Sequence, residues 1–291
     1  MHVADVAHRT LGPVTADPLL ALVGLPGVRE AIDEARSACE RLRWHEAFRR
    51  RWREARAESG IRTARASAAL EGAQVPVAQV RAMAVGAAGA GSTDAVVRGS
   101  LQAQVVVESL MPELGARAAP TLPPFSQLLA TIHRAATAGW LEPGSVGRLR
   151  PHGVPDDLRG LGAAPPSSEV AARLELLGQV VDGSRAPALV VAAVTHGELI
   201  ALRPFQAGNG TVARALFRLL LTRGGLDPTG CVLADEAWAA APNPYLAAAA
   251  QFATGTPDGM ATWLRVCADA VAAGAGRAAA VADAVLAGQL D

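Results

Sequence analysis

Apolar residues along this chain recur at helical spacing, and no run of useful length alternates as a half-buried strand would. Residues 27–58 are helical in character, with Glu30, Asp33, Glu34, Glu40, Arg41 and Arg43 interleaved among apolar positions. The dense run Arg49, Arg50, Arg51 and Arg53 has Glu46, Glu54 and Glu58 beside it, the pattern of a solvated helix face laced with ion pairs rather than of a nucleic-acid arm. Residues 85–93, rich in Gly, Ala and Ser, predict a loop, and a helix follows over about 94–110, stopped near Pro112. Pro120, Pro123 and Pro124 mark a boundary, after which Leu128, Leu129 and Ile132 set helical spacing over 125–138. The pattern then changes: Pro143, Gly144, Gly147, Pro151, Gly153 and Pro155 cannot sit inside a helix, and Arg148 to Arg150 predict at most a small hairpin. Pro165-Pro166-Ser167-Ser168 starts another helix, carried on by Val170, Leu174, Leu177 and Val181 on one face. Further helices are predicted over about 187–201, over 211–223 with Gly224-Gly225 as its stop, and over 245–252 and 260–273. The fold class is all-α, with one small hairpin as its only sheet.

Composition narrows the chemistry. All 27 cations among the 291 residues are arginine, so a P-loop lysine, a Schiff-base lysine and a lysine general base are excluded together. The 27 acidic residues bring the net charge to zero, which argues against a strongly basic nucleic-acid surface, so no nucleic acid is expected as a partner. Hydrophobic residues make up 51% and charged residues 19%, a globular balance. Cys39, Cys231 and Cys267 form no C-x-x-C pair, which disfavours a zinc ribbon and a disulfide framework and fits a reducing cytoplasm. The first 20 residues lack a basic start followed by an apolar run, and the apolar stretch 186–194 is too short to span a bilayer. The expectation is a soluble, cytoplasmic protein without membrane contact.

The chemistry concentrates between His196 and Arg214. Gly208-Asn209-Gly210 immediately before a helix puts flexible backbone amides where the helix dipole is positive, an anion nest, and Arg214 lies one turn further on. Taken alone, such a turn reads first as a plain interhelical loop; its surroundings say more. The stretch resembles the signature of the Fic (Fido) family, H-P-F-x-[D/E]-G-N-G-R-x-x-R, through Pro204, Phe205, Gly208, Asn209, Gly210 and Arg214, with His196 on the family's upstream histidine and Leu199 and Leu202 as apolar replacements. Ile132-His133-Arg134, Pro143-Gly144 and Gly147-Arg148-Leu149-Arg150 are similar to the family's helix and the hairpin flap that docks a target segment. Further upstream, Ser67 and Glu71-Gly72 resemble the inhibitory motif [S/T]-x-x-x-E-[G/N], whose glutamate in the family pairs with the last signature arginine and obstructs the nucleotide's γ-phosphate. By residue that is Glu71 with Arg214.

The resemblance implies a Fic-like helical bundle over 116–275 with a small β-hairpin flap. It also implies an N-terminal helical region, 1–115, that packs on the bundle and carries the inhibitory-like motif at 67–72, and a C-terminal helical tail, 276–291. It further implies a protein adenylyltransferase that moves AMP from ATP to a protein hydroxyl, with a protein partner docking at Arg148, Leu149 and Arg150. This chain departs from that pattern where the chemistry is done. The base position is Arg203, which stays protonated and cannot accept the hydroxyl proton. The metal position is Ala207, which has no side-chain oxygen, so Mg²⁺ lacks its carboxylate, and the first signature arginine is Thr211. Loss of a general base alone costs about 10²–10⁴-fold in rate. His196 lies about 10 Å from Arg203 along a helix and suits packing, Glu198 is placed no better, and His152 is a lone loop histidine. The expectation is therefore a degenerate Fic-domain protein that lacks AMP transfer and acts in nucleotide or anion binding, or in regulation. Its anion site would be Gly208, Asn209, Gly210 and Arg214, and ATP or another nucleotide would be the ligand. The alternative is an active nucleotidyl- or phosphoryl-group transferase with non-standard catalytic residues.

Overall fold

A computed structural model describes residues 17–86 and 91–290. The first 16 residues, and the centre of the 85–93 loop, lie outside the described residues.

The chain builds α1 (Pro18–Leu22), α2 (Val28–Arg43), α3 (Ala47–Arg50), α4 (Trp52–Leu70), α5 (Val77–Ala84), α6 (Ser92–Ser109) and α7 (Phe125–Thr137). After an irregular segment with one 3-10 turn (Arg159–Leu161) come α8 (Ser167–Gly183), α9 (Ala188–Leu202), α10 (Asn209–Arg223), α11 (Ala234–Ala240), α12 (Pro242–Phe252) and α13 (Pro257–Ala287). Two of these are buried nearly all round and occupy the centre. In α10 only Leu220 and Arg223 escape burial, and α9 buries ten residues from Leu189 to Leu202. Helix α9 has no polar face and has to be enclosed, while α10 buries Arg214 and Arg218 against acceptors from neighbouring elements. Here α6 and α7 cover α10 on one side, while α12 and α13 close over α9. Helix α13 is long and apolar enough to cross a bilayer by length and composition, yet Trp263, Leu264, Cys267 and Val271 are buried as it runs along α2, α11 and α12.

Arg51 interrupts the helix predicted over 27–58. The charged turn at Trp44 to Glu46 ends α2, and Arg51 separates α3 from α4 while its guanidinium pairs with Glu54 and reaches the Val285 carbonyl. Helix α4 then carries the site's upper wall. Its end sits on a separate small core of Ala64, Ala68, Val80, Met83, Val97 and Leu101, to which α5 contributes Val80 and Met83. Helices α6 and α7 touch backbone to side at Gly99, where an added Cβ would lie 1.9 Å from the Ala136 carbonyl oxygen.

The expected β-hairpin flap is not formed: no strand occurs among the described residues. Instead two isolated backbone bonds hold the segment to the signature loop, Arg150 N–H to the Pro204 carbonyl (2.9 Å) and Asp156 N–H to the Gln206 carbonyl (2.7 Å). Pro151 and Pro155 cannot donate to a ladder and Gly153 turns at φ +82°, so pairing does not propagate.

Candidate functional site

The site is built where α9 stops and α10 begins. Helix α9 ends because Arg203 adopts a left-handed conformation (φ 45°), and the chain doubles back through Pro204 to Ala207. Gly208, also left-handed (φ 78°), then opens α10; a side chain here would meet Thr137 Cγ2 at 2.7 Å. Glycine supplies that turn but no oxygen, so the first amides of α10 need an acceptor from elsewhere in the molecule. The acceptor is Asp157. Its Oδ2 takes a hydrogen bond from Asn209 N–H (2.7 Å) and its Oδ1 one from Asn209 Nδ2 (2.8 Å). Asn209 is itself fixed, with Oδ1 accepting from Phe205 N–H (2.9 Å) and Nδ2 also donating to the Phe205 carbonyl (3.0 Å). Burial pushes the Asp157 carboxyl up to about 6; the Asn209 bonds oppose this and the nearby Glu71 charge adds to it.

One turn into α10, Arg214 is 1% exposed. Its Nε donates to Ser67 Oγ (2.9 Å) and Nη2 donates to the Ser67 carbonyl (3.1 Å) and to Glu71 Oε1 (2.6 Å). Asp235 Oδ2 stands 3.7 Å from Nε. Burial opposes the guanidinium charge, but Glu71, Tyr245 and Asp235 together hold its pKa above the ordinary range. The Glu71 carboxylate lies over Gly210, where a Cβ would be 2.3 Å from Oε1. The structure thus brings Ser67, Glu71, Gly210 and Arg214 together, with Ser67 on α4 and Glu71 at its C-cap.

Arg203 goes elsewhere. Its guanidinium, buried at 1% exposure, donates to the carbonyls of Leu158 (3.1 Å) and Gly162 (2.8 Å), so it does not join Arg214 around the glycine turn in one cationic pocket. Arg150 is also turned inward: at 3% exposure it donates to the carbonyls of Arg203 (2.8 Å), Gly153 (3.2 Å), Pro165 (2.5 Å) and Leu202 (3.3 Å). Of the three residues expected to dock a target, Arg148 and Leu149 are exposed and Arg150 is a structural tie. Ala207 offers a methyl group and a carbonyl already bound by His133 Nε2 (3.0 Å). Gly147 N–H donates to His133 Nδ1 (2.9 Å), which fixes the proton on Nε2; burial lowers this histidine to about 4, and it stacks on Phe205 at 3.9 Å. His196 is buried among Phe217, Trp238, Tyr245 and Trp263 with Nε2 at 2.9 Å from Tyr245 Oη, a packing role; burial, aided by the Arg214 charge, depresses its pKa. Glu198 pairs with Arg173, and His152 lies exposed.

Beside Asp157 and Glu71 opens a cavity of about 500 Å³, walled by Leu70, Val96, Trp140, Leu158 and Leu246. Among the described residues no group of three or more His, Cys, Asp or Glu side chains is arranged to hold a metal. Of the carboxylates that line this cavity, Asp157 is bonded to Asn209, Glu71 to Arg214 and Asp156 to Gln206, and Ala207 has no side-chain oxygen. These residues do not fit a magnesium ion held as the resemblance implies. Asp157 was missed in the sequence because it stands 52 residues before the amide it caps; the cue was a helix-opening Gly208 with no capping oxygen of its own.

Residues 124–221 match the family model described as Fic/DOC family. Among solved structures, a Fic family protein from Desulfovibrio desulfuricans aligns with TM-score 0.71 at 21% identity, covering 91% of this chain and 76% of that one. Fic-1 from C. elegans aligns with TM-score 0.66 at 19% identity, over 86% and 71% of the two chains. A Fic domain-containing signaling protein from Bacteroides thetaiotaomicron aligns with TM-score 0.63 at 17% identity, over 87% and 98%. No curated protein matches the chain.

Proposed function

We propose that this chain, whose residues 124–221 match the Fic/DOC family model, is a member of that family that has lost AMP transfer and works by binding. The observation that carries the reading is Arg203. At the position of the family's proton acceptor stands a guanidinium, permanently protonated and tied to two backbone carbonyls, so that position supplies no base. Ala207 compounds the loss, because no carboxylate replaces the metal ligand. What remains of the family's apparatus is its anion-binding half: the amides that open α10 and the Arg214 guanidinium. The Asn209 amide and the Arg214 guanidinium are engaged by the protein's own carboxylates, so an anion that is to reach those two donors requires Asp157 and Glu71 to move.

The competing reading, a transferase with unusual catalytic residues, needs a proton acceptor. Asp157, with a pKa of about 6, is the titratable side chain best placed to be one, but both of its oxygens take hydrogen bonds from Asn209. The test is incubation with labelled ATP and Mg²⁺ of the wild type, Glu71→Gly and the triple variant Arg203→His, Ala207→Asp, Thr211→Arg. No labelling above background is expected from the first two. Robust labelling by Glu71→Gly, lost again on Arg203→Ala, overturns the reading.

A further inference from the structure

The sequence resemblance suggests one internal block on this site, from Glu71; the structure contains a second. The segment 156–162 lies over the start of α10, and its shape is unusual: Leu158, a branched residue, is held at φ 51°, and Gly162 at φ 78°. The carbonyls of these two residues are the ones that receive the Arg203 guanidinium. Between the signature loop and this segment there are also the backbone bond from Asp156 to Gln206 and the side-chain bond from Gln206 Nε2 to Asp156 Oδ2 (2.9 Å). The segment so fastened delivers the Asp157 carboxylate to Asn209, where it takes one hydrogen bond from the backbone N–H and one from the side-chain Nδ2, at the place an external oxyanion would occupy at a helix start.

We infer that Asp157 is a built-in occupant of the anion position at the start of α10, and that Arg203 is the positioning residue that keeps it there. The replacement at the base position then has a role of its own: Arg203 fastens the plug. While the plug is seated, an arriving phosphate meets the Glu71 and Asp157 carboxylates in place of an open Asn209 amide and a free Arg214 guanidinium, and the cavity alongside is left to neutral or cationic ligands. The inference rests on the non-transferring reading only in assigning Arg203 no chemical step.

The test is calorimetric titration with inorganic phosphate in EDTA, with ionic strength matched by chloride and Glu71→Gln present throughout so that the Asp157 step is read alone. With Asp157 intact, phosphate binding should be undetectable or in the high millimolar range. Asp157→Asn and Asp157→Ala should each bind phosphate at least tenfold more tightly. Arg203→Gln should raise phosphate affinity several-fold when Asp157 is present and leave it unchanged in the Asp157→Asn background, a coupling that a general loosening of the fold would not produce. Equal phosphate affinity with and without the Asp157 carboxylate overturns the plug. An Arg203→Gln effect of the same size in both backgrounds overturns the positioning role. The two Asp157 variants alter a half-buried loop side chain and decide the first point without Arg203→Gln. No nucleotide enters the titration, so its result stands whether or not the chain transfers AMP.

Discussion

Arg214 shows how a buried charge is kept in this fold. Its hydrogen bonds to Ser67 and Glu71 and the Asp235 carboxylate compensate it on two sides, so removing the guanidinium strands two acids while removing one acid leaves other partners in place. Arg214→Met should therefore lower stability in urea unfolding by about 3–5 kcal/mol, the cost of an unpaired buried charge, and Glu71→Gln by only about 1 kcal/mol. Acidification pulls in two directions. His133, lowered to about 4, binds no proton in the fold where the unfolded chain would, so its contribution is complete above about pH 6.5 and is lost as pH falls toward 4. Asp157, raised to about 6, does the reverse: the fold holds its proton between about pH 4 and 6, so a cost present at pH 7 is relieved on acidification. The stability of wild type minus that of Asp157→Asn should thus rise by up to about 2 kcal/mol between pH 7 and pH 4.5.

Among the elements, the central pair was the most legible. The Gly224-Gly225 stop and the Gly208-Asn209-Gly210 turn bracket α10 in the sequence, which places its start at Thr211, two residues after the observed Asn209, and the run before Arg203 reads as α9 from its continuous apolar character. Helices α5 and α11 were not legible, because they are short and owe their existence to what lies beneath them. Val80 and Met83 anchor α5 to the small core under α4, and Ala234, Asp235 and Trp238 seat α11 against α4 and α13. The hairpin was wrongly expected for a related reason: the family pattern names the residues, but two prolines decide whether a ladder can form. At the site the sequence brought Ser67, Glu71 and Arg214 into one reading through the family pattern. It gave no sign that Arg203 would turn toward the 156–162 segment, since that depends on a left-handed backbone at two non-glycine residues, Leu158 and Arg203. Gly99 offers a test at this scale. Alanine is favoured over glycine in a helix interior by about 1 kcal/mol, yet a Cβ at 1.9 Å from the Ala136 carbonyl would force α6 from α7. Gly99→Ala should lower the thermal midpoint, and a raised midpoint would show that the two helices do not approach this closely.

Taken as a whole, the molecule is fastened by arginines that reach backbone carbonyls across segments distant in sequence. Arg56 on α4 donates to the carbonyls of Thr229 (2.7 Å), Pro112 (3.0 Å) and Pro228 (3.2 Å), and Arg218 joins α10 to Gly230, Gln104 and Glu108. A planar fork with five donors can serve three acceptors at fixed angles, and an ammonium cannot. Arg56→Lys should therefore cost about 2 kcal/mol or more in urea unfolding despite conserving charge, since carbonyls enclosed by the fold lose their donors. Helix α10, enclosed on every side, adds a consequence in time. Amides in its interior bond to carbonyls of the same buried helix and should exchange with solvent deuterium only when the whole domain opens. The Asn209 amide bonds instead to a side chain on the 156–162 segment, and should exchange whenever that segment lifts. Within a single turn of one helix, protection would then pass from the lifetime of a loop to the lifetime of the fold.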